Sequence, residues 1–554
     1  MTAQAAFRNA CCALALAILA VLGVYTQGGA AHDEISSPLH GELVGPLSAP
    51  GSSVRAALRL RNMLQQQPNP LTASDTDKCG ICTTITTMIT AAAKDSDSLQ
   101  KLLDGLDFAC SIAFSNDQKK LDQCKEVAKV IVKAVPFLDK TMKDLDWNAE
   151  AFCSVVVPVC QIPCCDASNA PEQVHLSLGD APDEMVATWS TLKLGGEPTM
   201  VVSEDEQFDA NKTVHFTGVS WTHNTSGWVG QMHSAKATGL QPGKKYYYRV
   251  GWDNNWSKTF YFNTIPDNAG TKARPLRMIQ IGDVDYGTNG HDTLSALQGF
   301  VNRGEVDIIF HIGDISYADG YERHFDEFMR LIEPIAAYVP YMVLPGNHEF
   351  WFDFASYRNR FRMPGGDKTV KSMYYSFNVN NAVHVQMLNT ETVIDTADFT
   401  DDQLDWMKKD LTAAKKATWR ISMSHRPLYC TDSRKLQCET FAALLRAKAE
   451  HLLTMGRVDL FIAAHVHAYE RTYPVAANVV MGKSYNKAIA PTHIVNGAGG
   501  NRENANNVRG DQPWSAKTST ARGYGFITIM DNTMEYKFVE SRTGNVIDTV
   551  TFTK

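Results

Sequence analysis

Five short apolar runs in the second half of this chain each end in a loop of metal-binding residue types, and that recurrence constrains the fold more than any other feature of the sequence. Leu276 to Ile281 leads into Gly282-Asp283, and Val306 to Ile312 into Gly313-Asp314-Ile315-Ser316-Tyr317. Val339 to Leu344 delivers Gly346-Asn347-His348-Glu349, Arg420 to Met423 delivers His425, and Val458 to Ala464 delivers His465-Val466-His467. Helix-period segments separate the runs, so the pattern predicts a strand-rich α/β domain with a site gathered at strand ends. Each loop alone is a weak signal, because Gly-Asp often marks only a turn and a lone His at a strand end is more often structural than a ligand. Their number and order point to metal chemistry.

Upstream, the periodicity changes twice. From Cys79 to Cys165 apolar residues recur at helical spacing, as in Ile81, Ile85, Met88 and Ile89, then Leu99, Leu102, Leu103 and Leu106, then Val127 to Leu138. Residues 170–266 switch to period two, with Val174, Leu176 and Leu178 alternating, then Met185, Ala187 and Trp189, as in a small antiparallel sandwich. Residues 32–74 are rich in Pro, Ser, Gln and Ala without a sustained apolar period and read as a linker or pro-segment. A length of 554 residues agrees with several domains rather than one core.

Arg8, the apolar run from Ala10 to Val24 and the small residues Gly28 to Ala31 read as a secretory signal peptide over residues 1–31. A membrane anchor is the alternative, but the run falls short of the ~20 apolar residues that a spanning helix needs. Of twelve cysteines, Cys11 and Cys12 lie in this leader, leaving ten, an even set suited to disulfides in an exported chain. Delivery is then outside the cell or to a lysosome or vacuole. Acceptor triplets at Asn211, Asn224 and Asn255 are candidate glycosylation sites. The formal net charge of -7, with no Lys/Arg run to track a phosphate backbone, excludes nucleic acid as a partner.

The ordered loops Gly-Asp, Gly-Asp-x-x-Tyr, Gly-Asn-His-Glu, His and His-x-His resemble the metallophosphoesterase fold, layered α-β-β-α, here over residues 272–554. Tyr317 in the second loop makes the resemblance specifically one to purple acid phosphatases. The resemblance implies that Asp283, Tyr317 and His467 hold one metal, that Asn347, His425 and His465 hold another, and that Asp314 bridges them. Carboxylates and a phenolate suit Fe(III), whereas imidazoles and an amide oxygen suit a divalent ion such as Fe, Zn or Mn. The implied activity is hydrolysis of phosphate monoesters by a metal-bound hydroxide in acid. His348 is then the catalytic candidate, able to stabilise developing charge or protonate the leaving oxygen, with the orienting of a ligand as the alternative.

The segment Leu240 to Val250 resembles fibronectin type III domains, which larger purple acid phosphatases place before the catalytic domain. Cys79-x-x-Cys82, Cys110, Cys124, Cys153 and Cys160 resemble a saposin B-type, all-α domain over residues 75–166. That family pairs Cys79 with Cys160, Cys82 with Cys153 and Cys110 with Cys124, although Cys164 or Cys165 could replace Cys160. It implies either contact with a lipid surface or a chaperone or inhibitory pro-segment. Cys430 and Cys438 suit a loop-closing disulfide, as in animal and fungal relatives.

Two departures from the catalytic pattern stand out. Ala464 occupies the position where the last motif usually has Gly, and a methyl there would crowd a turn that needs positive φ. The loop from Tyr429 to Leu445 lacks the histidines that plant members carry, which leaves the leaving-group acid unassigned. Asn496-Gly497-Ala498-Gly499-Gly500 lacks the Lys of a nucleotide loop and reads as part of the site rim. Rival readings are a saposin-coupled, sphingomyelinase-like lipid phosphodiesterase, disfavoured because Asp285 stands where those enzymes have His, and a lipid-binding protein with a degenerate phosphatase domain.

Overall fold

The computed structural model describes residues 75–113, 118–157, 159–365, 373–392, 401–433 and 436–554. The expected leader and linker lie outside the described residues. Two compact units divide the chain, residues 1–162 with 224–228, and residues 163–223 with 229–554.

The first unit is helical: Asp75–Ala91, Ser96–Ala113, Gln118–Asp144 and Ala149–Val155. Its buried face follows the helical repeat, with Ile131, Val135, Leu138 and Met142 of the third helix all buried. Among the described side chains of the first helix, Cys82, Thr86 and Ile89 are buried, whereas Met88 is 66% exposed. Met88, though apolar and at helical spacing, therefore lies outside the buried face, because the repeat that buries Cys82 turns Met88 away from it. Asn148 caps the fourth helix by accepting from Ala151 N at 2.8 Å. Cys79 is bonded to Cys160 and Cys82 to Cys153. Cys110 is also disulfide-bonded, and the Cys124 side chain lies outside the described residues.

The second unit begins with a β-sandwich. Among the described residues one sheet runs Glu172–Leu178, Met185–Thr191, Gln231–Ala237, Val219–Trp221, and the other is built on Lys245–Trp252 and Thr199–Ser203. Alternation places Val174, Leu176, Met185, Ala187, Trp189, Tyr248 and Val250 in one core. The sandwich is fastened to the rest of the unit by polar contacts. Tyr248 Oη donates to Ala337 O at 2.7 Å. Buried Arg360 bonds Glu322 at 2.6 Å, Asp326 at 2.7 Å and, across the junction, Gln173 at 3.2 Å.

The remainder of the unit is two facing sheets. One has the order Tyr341–Leu344, Ile308–Ile312, Leu276–Ile281, Gly523–Met530, Thr533–Glu540, Val546–Thr553, its first three strands parallel. The other contains the parallel run Val383–Leu388, Trp419–Ser424, Leu460–Ala463, Thr492–Asn496. Strands buried on both faces are rich in apolar residues, without a break in Tyr341–Leu344 and Leu460–Ala463. Met278, Phe310 and Ile312 point inward against Val385, Met423 and Ile462. Ile279, Ile281, Ile309 and Val343 point outward to helices Thr288–Asn302 and Glu322–Ala336. Helix Asp401–Ala413 covers the second sheet through Met407 and Leu411. This is the expected α-β-β-α layering, and the five polar loops follow the C-terminal ends of the parallel strands.

Candidate metal centre

Parallel strands that end together bring the loops that follow them together, and here all seven expected ligands converge. Asp314, His425 and His465 offer ligand atoms within 4.8 Å of one another, as do Asp283, Asp314 and His467. Asp314 belongs to both groups, the position of a bridge. Tyr317 Oη lies 3.2 Å from Asp283 Oδ1 and 3.1 Å from His467 Nε2, and the latter two are 3.2 Å apart. On the other side His425 Nε2 is 3.1 Å from Asn347 Oδ1 and 3.2 Å from Asp314 Oδ2. Donors around an octahedral ion with bonds of about 2.1 Å stand about 3 Å apart.

The backbone is strained to reach this arrangement. Asp283, Asp314, Tyr317 and His465 all have positive φ, between 51° and 66°, a conformation that costs a non-Gly residue of order 1 kcal/mol or more and gathers at functional sites. At the Ala464 departure the positive φ falls on His465. Room for the Ala464 methyl comes from Gly282, where a Cβ would lie 2.5 Å from that of Ala464. Gly346 is required in the same way, since a Cβ there would sit 2.2 Å from Asp314 Oδ1.

The electrostatics ask for cations. Burial opposes charge on His425, yet Asp314, Asp283 and Glu391 outweigh it and raise its pKa to about 9. Burial, with Asp283 and Asp314, pushes the Tyr317 phenol well above its usual range. Burial works against ionisation of Asp314, but His425 and His348 hold its carboxyl well below the usual range. His465 Nδ1 is buried with no hydrogen-bond partner among the described residues, a costly state unless a ligand completes it. Two metal ions fit this donor set, and a highly charged one would be needed to make Tyr317 a phenolate.

His348 stands at the edge of the cluster with 11% of its side chain exposed. Its Nδ1 is 2.7 Å from Asp319 Oδ1, and its Nε2 faces Asp314 Oδ2 at 3.9 Å. Burial opposes its charge, but Asp319, Asp314 and Glu503 raise its pKa well above the ordinary value.

Several supporting residues escaped the motif reading. Glu349, quoted only as part of its motif, accepts from the backbone N–H groups of Asp314, Ile315 and Gly346 and ties two loops together. Arg426 lies 2.8 Å from His465 Nε2 and bonds Glu391 at 2.9 Å. Asp319 and Arg426 lie within two residues of expected ligands, a signal that could have found them. Arg502 and Glu503 carry no such signal, as they follow the glycine segment read as rim. That segment does pack on an expected ligand: a Cβ at Gly497 would meet Asp283 Oδ2 at 2.6 Å.

Three family models match in register with these domains: "Purple acid Phosphatase, N-terminal domain" over residues 171–264, "Calcineurin-like phosphoesterase" over 276–469 and "Iron/zinc purple acid phosphatase-like protein C" over 490–549. Acid phosphatase type 7 of Danio rerio is 34% identical over 422 residues, covering 69% of this chain and 91% of the relative. The chain belongs to the purple acid phosphatase family. Another relative, the Fe(3+)-Zn(2+) purple acid phosphatase 12 of Arabidopsis thaliana, is 28% identical over 68% of this chain and 83% of its own length. Among solved structures, a purple acid phosphatase isolated from yellow lupin (Lupinus luteus) seeds superposes with a TM-score of 0.62 at 26% identity, covering 70% of this chain and 74% of that one.

Proposed function

We propose that this purple acid phosphatase hydrolyses phosphate monoesters at a dinuclear centre holding Fe(III) and a divalent ion such as Zn, Fe or Mn. The observation that carries the reading is the convergence of seven donors, most of them buried, on two adjoining positions that share Asp314. Asp283, Tyr317 and His467 hold the first ion, Asn347, His425 and His465 the second, and Asp314 bridges. When bound, the ions supply positive charge that polarises the phosphoryl group and acidifies water at low pH. The chain's own residues do the rest. Glu349 clamps the Asp314 and Asn347 loops through three backbone bonds, so donors from different strands keep their spacing. Asp319 accepts from His348 Nδ1 and leaves Nε2 facing the cluster, where the imidazolium stabilises charge on the phosphoryl group and gives its proton to the leaving oxygen.

The helical unit is read as a saposin B-type domain over residues 75–166. Pairing of Cys79 with Cys160 and Cys82 with Cys153 supports that reading. Its role is contact with a lipid surface, which the exposure of Met88 favours, and equal turnover of soluble esters with and without vesicles would remove it. Cys164 pairs with its neighbour Cys165, so neither competes for Cys79. Export through the secretory pathway, with glycans on Asn211, Asn224 and Asn255, completes the proposal. Asn211 and Asn224 are exposed, whereas Asn255 Nδ2 donates to Asn169 O at 2.7 Å.

Metal analysis with a visible spectrum, beside hydrolysis of an aryl phosphate in acid, tests the central reading. Two metals including iron, a visible band lost in Tyr317→Phe and acid phosphatase activity are expected. Two zinc ions, no band and turnover of diesters alone would overturn it.

A further inference from the structure

The mouth of the metal centre carries a carboxylate that the seven ligands do not use. Glu503 is 40% exposed, against 11% for His348 and 1% for Asp314, so solvent and substrate reach it first. Its Oε1 lies 3.5 Å from His348 Nε2 and its Oε2 lies 3.9 Å from His467 Nε2. A phosphate ester whose leaving oxygen sits at His348 Nε2 therefore places the first atoms of its alcohol beside Glu503.

The loop that presents Glu503 is fixed at several points. Glu503 N donates to Asn501 Oδ1 at 2.9 Å. Arg502 Nη2 donates to Asp319 Oδ2 and to the Tyr317 carbonyl, each at 2.6 Å. The Asn504 carbonyl is 3.1 Å from His467 Nδ1, and Asn506 Oδ1 accepts from His467 N at 2.9 Å. The backbone that presents the carboxylate is thus held at a defined place relative to His348, as the base of a specificity group must be.

We propose that Glu503 selects among phosphate monoesters by the charge of the leaving group. It favours alcohols that carry an ammonium group about two carbons from the ester oxygen and disfavours those with a second anion there. The proposal rests on the phosphatase reading above. Charges about 4 Å apart interact appreciably even where water screens them. At a partly exposed rim the expected discrimination is about tenfold, rather than the larger ratios of a sealed pocket. If Glu503 served only to sustain the charge on His348, its loss would slow every ester alike.

The test uses the full chain loaded with its metals, and three esters of similar length whose leaving groups carry charges of plus one, zero and minus one: 2-aminoethyl phosphate, n-propyl phosphate and carboxymethyl phosphate. At one fixed acidic pH, kcat/KM of the wild type should fall in that order. Glu503→Gln should shrink the cation-to-anion ratio about tenfold, chiefly through KM, and Glu503→Lys should reverse the order. A ratio that stays within twofold in both variants overturns charge selection while leaving the phosphatase reading intact. Failure to hydrolyse any of the three or an aryl phosphate, in protein with both metals bound, overturns the phosphatase reading and this inference with it.

Discussion

Asp319 Oδ1 sits 2.7 Å from His348 Nδ1, while its other carboxylate oxygen is held by Arg502 at 2.6 Å. The first contact fixes which imidazole nitrogen faces the metal ligands, and the second fixes the carboxylate. Asp319→Asn keeps the shape but removes the charge and permits the wrong tautomer. It should lower kcat about a hundredfold with KM changed less than threefold and the visible band retained. His348→Asn should cost a similar factor, and the double variant little more than either alone, because the two act as a unit. Additive losses in steady-state kinetics would contradict that coupling.

Gly282 and Ala464 share one space between the first and last ligand loops, with only 2.5 Å between the Ala464 methyl and a Cβ at Gly282. Gly282→Ala should therefore displace Asp283 and His465 and reduce bound metal to well below two ions per chain. Adding Ala464→Gly should restore most of it. Metal analysis of the single and double variants decides the point, and a double variant no better than the single would place the clash elsewhere.

Arg360 faces two carboxylates where the sandwich meets the catalytic sheets, so the cluster carries excess negative charge in a buried site. Burial raises Asp326 to about 6, with Arg360 opposing and Glu322 reinforcing the shift. A carboxyl raised in the fold adds stability that is fully present below about pH 4 and is lost as pH rises through 6. The gain amounts to at most about 3 kcal/mol. His175 and His223, each lowered to about 4 chiefly by burial, act with the opposite sign over the same interval. Asp326→Asn removes only the Asp326 contribution. Relative to this variant, the wild type should lose melting temperature as pH is raised from 4.5 to 6.5, and parallel curves would show that Asp326 does not titrate there.

Cys430 and Cys438 are bonded, closing a short loop after the His425 strand. Inside it Thr431 bonds Glu470 through both its backbone N and its hydroxyl, at 2.8 and 2.9 Å. Asp432 accepts from Asn506, the residue that also holds His467 N. Replacing both cysteines by Ala should cost about 2–3 kcal/mol in denaturant unfolding and weaken metal retention during dialysis against a chelator. Unfolding midpoints and metal content unchanged from wild type would make the bond dispensable.

The convergence of the candidate donors was legible because its encoding is local. Each candidate donor lies within a few residues of the end of an apolar run, and burial on both faces is written there as hydrophobicity, continuous at Leu460–Ala463 and broken only by His311 at Ile308–Ile312. The helical unit was legible as a class but not in detail. Apolar residues on both sides of the helix Asp75–Ala91 allowed two faces, and packing buried Cys82, Thr86 and Ile89 while leaving Met88 outside.

By itself, then, the sequence indicated a helical segment, a sandwich and an α/β domain, and named seven candidate donors, since periodicity and strand-end chemistry are properties of neighbouring residues. Only the tertiary structure decided what surrounds those donors. Gly282 makes room for Ala464, Gln173 reaches Arg360, and Glu503 lies beside His348, each pair joined across long stretches of chain. Such pairings depend on how two sheets and their loops pack as a whole, so no local pattern announces them, and the rim that meets the substrate is made of them.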